Sequence, residues 1–234
     1  MESPRIEAPP LRRVSRSYLA WIALGTFGSS LAPMVPMTYS LALRVDELAP
    51  RRAELLGYVT GAAQFVYLIL SPLIGLWSDR TRSRLGRRTP FMACGAALGI
   101  VAMLAIACAP SVLLVGLGWV VGMTGWSMAG QAVQNVQADR VPEDQRGRVA
   151  ALTGIAAQVA PAVGIGITYA VSSSVVLMFM VPGVLGAVLL LAFPFFRPEG
   201  DSRMLVRGGA AEALTVRGLV ASYGFSTRSY PDFA

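Results

Sequence analysis

Two stretches of this 234-residue chain, residues 55–77 and 89–138, carry no acidic or basic side chain along their whole length. A helix in water needs a polar face, and neither stretch offers a charged one. In hydrocarbon the same absence is what a spanning segment needs, since a bare charge there is costly. About 20 largely apolar residues cross a bilayer. Six segments reach that length: residues 18–43, 55–77, 89–109, 111–136, 149–171 and 174–196. The expected fold class is an all-α membrane protein with six transmembrane helices. The first run is too long for the apolar core of a signal peptide, and no small-residue cleavage site closes it, so it is expected to remain as a span. Pro33 and Pro36 predict a kink or a broken last turn near its end.

Charge then orients the spans. Only 14% of the residues are charged, against about 25% in a soluble domain. The net charge of +7 could point to nucleic acid. All the basic residues are arginines, however, and they sit in short loops between apolar runs, which is a topology signal. Arg5, Arg12, Arg13, Arg16, Arg80, Arg82, Arg84, Arg87, Arg88, Arg140, Arg146, Arg148 and Arg197 fall on one side. Arg44, Arg51 and Arg52 fall on the other, offset by Asp46, Glu47 and Glu54. Both termini are therefore expected in the cytoplasm, with the chain multi-pass in the plasma (inner) membrane. Phe193, Phe195 and Phe196 beside Arg197 read as an interfacial aromatic anchor. Cys94 and Cys108 are about 21 Å apart along one helix, too far for a disulfide, and read as packing residues.

Two arginine-rich loops carry the most information. The first follows the second span: Gly75-Leu76-Trp77-Ser78-Asp79-Arg80, then Thr81 to Leu85, then Gly86-Arg87-Arg88. Gly75 permits close helix approach. Asp79, at the C-terminal end of a helix, is badly placed for the dipole and needs a cationic partner or a neighbouring helix N-terminus. The second loop is Asp139-Arg140-Val141-Pro142-Glu143-Asp144-Gln145-Arg146-Gly147. Pro142 ends the fourth helix, and Glu143 and Asp144 suit the start of a short turn. Asp139 is positioned to pair with Arg87 or Arg146.

These two loops, each between the appropriate spans, resemble the major facilitator superfamily. The first matches its glycine, Asp-Arg, Gly-Arg-Arg pattern, although five residues separate Arg80 from Gly86 where the usual motif has one. That spacing and the following Thr89-Pro90-Phe91 are closest to the glycoside–pentoside–hexuronide and sucrose transporter-like branches. The second resembles the family's Asp…Pro-Glu-x-x-Arg-Gly loop. The resemblance implies the N-terminal six-helix half of a major facilitator fold. It also implies that Gly75, Asp79, Arg80, Gly86, Arg87 and Arg88 form a cytoplasmic latch between two halves during alternating access, with Asp139, Pro142, Glu143, Arg146 and Gly147 as a second motif. For Arg82, Arg84 and Arg88 a plain topological role is the competing reading. Residues 161–166, Pro-Ala-Val-Gly-Ile-Gly, partly resemble the antiporter motif of drug exporters, but Ala160 stands where that motif has glycine. Helix packing accounts for Gly154, Gly164 and Gly166 equally well.

Polar residues inside spans point to a solute path. Thr60, Gln64, Tyr67 and Ser71 recur at helical spacing and share one stripe of the second span. Thr26 and Ser30 mark the first span, Trp126 and Gln131 the fourth, and Gln158 the fifth. Thr26, Ser30, Gln64, Tyr67, Trp126, Gln131 and Gln158 are the substrate-cavity candidates. Amides and aromatic rings suit hydroxyl-rich ligands, while helix-to-helix hydrogen bonding is the competing explanation. No Asp, Glu or Arg lies mid-span, whereas melibiose-type symporters, which this resemblance brings in, carry carboxylates on helices 2 and 4. A coupling carboxylate would then lie in a second half.

With no histidine, no cysteine cluster and no paired buried carboxylates, no catalytic triad, metal site or acid–base pair can be assembled. An enzyme, a cofactor and a nucleic-acid partner are not expected. Residues 1–17 read as a cytoplasmic segment, 18–196 as the transmembrane domain, and 197–234 as a linker, partly helical over 210–220, truncated before a second six-helix domain. The expected function is a secondary-transporter half for a small polar solute such as a sugar or glycoside. A drug-efflux antiporter half and a truncated, non-transporting protein needing a partner half remain as alternatives. The expected partners are the bilayer, the solute and a missing or separate C-terminal half.

Overall fold

The computed structural model describes residues 13–198. Over that range the chain forms α1 (Arg16–Val35), a π-helical turn (Pro36–Ser40), α2 (Leu41–Leu48), α3 (Glu54–Arg80), α4 (Thr89–Cys108), α5 (Val112–Arg140), α6 (Glu143–Ala170) and α7 (Val175–Phe196). The segment α1–π–α2 is one continuous span, Arg16–Leu48, and with the other five long helices it makes six spans long and apolar enough to cross a bilayer. No strand occurs among the described residues. The latter part of the expected linker, with its helical stretch at 210–220, and the arginines Arg5 and Arg12 lie outside the described residues.

Local chemistry fixes the helix starts. Ser15, Ser111 and Ser174 cap α1, α5 and α7, each accepting from the N–H three residues on (Tyr18, Leu114 and Leu177). Such a cap satisfies one of the backbone donors a helix start leaves unpaired. Pro90 sits in the first turn of α4, where a missing N–H costs nothing. Helices α5 and α6 run further than the apolar stretches, to Arg140 and from Glu143. Pro142 therefore stands at the N-cap of α6, and Glu143 and Asp144 occupy its first turn rather than a separate turn. Their charge favours the positive end of that helix.

The first span is not broken at its prolines. Pro36 lacks the N–H that would pair with the Ala32 carbonyl; a π turn follows it, in which the Leu41 N–H reaches back to the Pro36 carbonyl, and the helix continues to Leu48. Another proline's lost donor is replaced from outside its own helix. Pro182 in α7 cannot donate to the Met178 carbonyl, and the buried Ser40 hydroxyl donates to it instead at 3.0 Å. At the same end of the bundle the Arg44 guanidinium donates to the Ala109 carbonyl that closes α4, at 2.8 Å, and pairs with Glu47 at 2.6 Å. It thus ties α2 to α4 as well as adding charge.

Helix pairing is governed by glycines. α4 packs on α5, α1 on α7 and α6, and α3 on α5, with α4 touching α7 to join the two sets. At the α4–α5 crossing a Cβ on Gly95 would lie 2.5 Å from the Gly125 carbonyl oxygen. At the α1–α7 crossing a Cβ on Gly28 would lie 2.5 Å from the Gly186 carbonyl oxygen. Backbones this close need small residues, and dispersion across the crossing is what holds helices together in lipid. Gly164 meets Val35 and Leu31 on α1, in keeping with packing. Gly154 and Gly166 have nothing within 4 Å of a would-be Cβ, so packing in this bundle does not explain them. Cys94 and Cys108 are both free and exposed, on the outer surface and not in the packed interior. Phe193 is buried against Tyr18, so only Phe195 and Phe196 are exposed as an interfacial anchor would be.

Gly28→Ala is expected to destabilise the bundle by about 1–3 kcal/mol through overpacking. Gly57→Ala, where nothing lies within 4 Å, is expected to leave it unchanged. Thermal unfolding in detergent compares the two; equal melting temperatures would refute the crossing.

Candidate functional site

At the arginine-rich end, three helix ends converge on Arg88. This residue is the N-cap of α4, and its side chain is only 6% exposed. Its Nη2 meets Asp79 Oδ1 at 2.8 Å, its Nε and Nη2 each meet Asp139 Oδ2 at 3.3 Å, and its Nη1 donates to Ser78 Oγ at 2.8 Å. Arg87 Nη2 adds a bond to Asp139 Oδ2 at 2.8 Å. Asp79 is in the last turn of α3 and Asp139 in the last turn of α5, so both carboxylates face helix ends that repel negative charge. A forked guanidinium offers donors enough to compensate both at once.

Gly86 makes this possible. Its φ of 96° is a left-handed conformation open to glycine at little cost. Its N–H closes a turn onto the Ser83 carbonyl at 3.2 Å, and the Ser83 hydroxyl accepts from the Leu85 N–H at 3.1 Å. The five residues between Arg80 and Gly86 thus include a turn that delivers Arg87 and Arg88 to the carboxylates. Arg80 is exposed in the last turn of α3, where a cation suits the dipole.

Other motif residues stand apart from this knot. Gly75 and Gly147 have nothing within 4 Å of a would-be Cβ, so Gly75 permits no close approach among these helices. Arg146 pairs with Glu143 at 3.6 Å, not with Asp139, because both lie one turn apart on α6. Two contacts escape sequence reasoning altogether. Arg13 pairs with Asp144 at 2.8 Å, and Gln145 binds Val14 twice, accepting from its N–H at 2.8 Å and donating to its carbonyl at 3.3 Å. They join residues 131 apart, and no local pattern announces them.

The polar span residues divide into those brought together and those kept apart. Gln64, Tyr67 and Ser71 line an open groove of about 490 Å³ with Phe65 and Leu68. Gln131 reaches this stripe from α5, its Nε2 lying 3.4 Å from Ser71 Oγ. Its Oε1 is buried without a hydrogen-bond partner. Thr26 accepts from Gln137 Nε2 at 3.3 Å while donating to its own helix at Ile22. Gln137 is a residue the sequence reading passed over; it lines a second groove of about 390 Å³ between α5 and α6 with Gln134 and Arg146. Ser30 is half-buried one turn beyond Thr26, and Gln158 is exposed on α6; neither lines these grooves.

Trp126 lies apart from these grooves. It is fully buried, with its ring over Gly99 of α4 and next to Gly183 of α7. Five residues separate it from Gln131, which is about 500°, or 140° around the helix axis, so the two side chains leave α5 on different faces. The spacing alone contained this result.

Arg88→Ala is expected to destabilise the bundle towards the low end of the roughly 3–5 kcal/mol typical of breaking a buried ion pair, because both carboxylates keep solvent contact. Arg87→Ala is expected to cost less, and Arg88→Lys to recover little because a lysine lacks the fork. Thermal unfolding of the three variants in detergent ranks them.

Comparison with known proteins agrees with this architecture. The family model described as Major Facilitator Superfamily matches residues 18–226. The "General alpha-glucoside permease" of Schizosaccharomyces pombe (strain 972 / ATCC 24843) is 31% identical over 118 residues, covering 48% of this chain and 20% of that protein. The match therefore spans about a fifth of that relative's length. With six apolar helices and a family match over most of its length, the chain is an integral membrane protein of the Major Facilitator Superfamily, a family of transporters.

Proposed function

We propose that this chain is one six-helix half of a secondary transporter for a small, hydroxyl-rich solute of the sugar or glycoside class, working by alternating access. The observation that carries the reading is the Gln131 amide. Ser71 holds one end of it, and its buried Oε1 is left as an acceptor with no donor beside the Gln64–Tyr67–Ser71 stripe. A buried acceptor without a partner is costly, and a solute hydroxyl relieves that cost. The likeness to a glucoside permease supports the same solute class.

The half-transporter reading is supported by what α3 and α6 leave uncovered. Each leans mainly on one neighbour, α3 on α5 and α6 on α1. Gly57, Gly61 and Gly75 of α3 and Gly147, Gly154 and Gly166 of α6 face open space. In lipid, small residues serve close helix contacts, and a second six-helix bundle would supply them. In this reading the arginine-rich end is cytoplasmic by the positive-inside rule. The Asp79–Arg88–Asp139 knot braces the latch there, and any coupling carboxylate belongs to the other half. The proposed setting is the plasma (inner) membrane, and no observation favours the drug-efflux alternative.

The purified chain is expected to bind an α-glucoside such as maltose in calorimetry. Gln131→Leu should weaken binding by about tenfold, as a lost hydrogen bond of ~1.4 kcal/mol would. Trp126→Phe should leave it unchanged. Reconstituted alone as a monomer, the chain is expected to show no uptake. Uptake by the monomer would sink the half-transporter reading, and absence of binding across α-glucosides and polyols would sink the solute class.

A further inference from the structure

We propose that the seam between the start of α1 and the end of α7 binds an anionic phospholipid, its phosphate on Arg16 and Arg197 and its acyl chain along Trp21, Phe195 and Phe196. Among the described residues, the polar half of this site has no anion. Arg197 closes α7, and its Nη2 donates to Ser17 Oγ at 2.6 Å. Its Nε is buried, and among the described residues it has no hydrogen-bond partner and no carboxylate lies within ion-pair distance of the side chain. Arg13, Arg87, Arg88 and Arg146 at the same end each have one.

Arg16, next to Ser17, opens α1 at the positive end of its dipole, where a cation is disfavoured unless an anion joins it. α6 solves the same problem with Glu143 and Asp144 in its first turn, whereas α1 has no acidic residue there. Neither α1 nor α7 supplies a negative charge at this end among the described residues. Arginine forks and helix N-terminal N–H groups both favour phosphate oxygens.

The apolar half of the site says which phosphate. One turn deeper, Trp21 stacks on Phe196 with ring centres 4.5 Å apart, and Phe196 meets Phe195 edge-on at 5.1 Å. Phe195 is 79% exposed and Phe196 55% exposed. Aromatic rings at this depth sit where headgroup gives way to acyl chain. A soluble anion would leave those rings unused; a lipid covers them.

Tryptophan fluorescence tests this. Trp119 and Trp126 are buried, so in a Trp77→Phe background Trp21 is the reporter accessible to lipid. The full chain is placed in phosphatidylcholine vesicles containing graded amounts of brominated phosphatidylglycerol or brominated phosphatidylcholine. Trp21 is expected to be quenched with about a fivefold preference for the anionic lipid. Arg197→Gln should reduce the preference to twofold or less, with Arg16→Gln as the second variant if the first fails to insert. Arg148→Gln, which lies elsewhere on the same end, should keep it. Equal quenching by both lipids, or the same loss in Arg148→Gln, overturns the site. Displacement by excess inorganic phosphate overturns its assignment to a lipid.

Discussion

Inside a bilayer no water is present to satisfy a backbone carbonyl, and the rest of this structure follows from that constraint. Helices are the answer for each segment, but this chain places prolines inside four of its helical spans. Each proline removes a donor, and Ser40, in the π turn of the first span, supplies one in place of Pro182 of α7. Tertiary contact here is partly the settling of hydrogen bonds that single helices cannot close alone.

The same medium removes the hydrophobic effect as a force between helices, so close approach has to replace it. Glycines supply it at two crossings, Gly95 with Gly125 and Gly28 with Gly186. These build a centre of α1, α4, α5 and α7, against which α3 and α6 lean from one side each. The polar side chains of α3 lie on the open groove beside α5, while the packed centre holds Trp126 and Trp119. At the arginine-rich end, the Arg88 guanidinium stitches α3 to α4 and α5, so the loosely packed helix is still anchored at one tip.

The spans were legible because freedom from charge over twenty residues has few explanations. Their ends were not, since charge ends an apolar run without ending a helix; α5 continues to Arg140 and α6 begins at Glu143. The Arg87–Asp139 pair followed from complementary charge across two loops. The position of Arg88 did not, because Arg87 and Arg88 are chemically identical in sequence, and the left-handed Gly86 turn decides which of them is enclosed. Trp126 differs in kind: its depth in α5 follows from the span, while its direction follows from the roughly 140° that separates it from Gln131 around the helix axis. The Gln145–Val14 clasp lay beyond reach, since a neutral amide among many carries no mark of its distant partner.

The Ser40–Met178 hydrogen bond makes two distant positions depend on each other in a fixed order. While Pro182 is present, losing the Ser40 hydroxyl strands a buried carbonyl. Once Pro182 is replaced by a residue with an N–H, α7 closes its own hydrogen bond and Ser40 is released from that duty. The path of sequence change is therefore one-way at this pair: the proline can leave first and the serine afterwards, but the reverse order passes through a damaged intermediate. The interface thus constrains the order in which this transporter family member can vary as well as its shape.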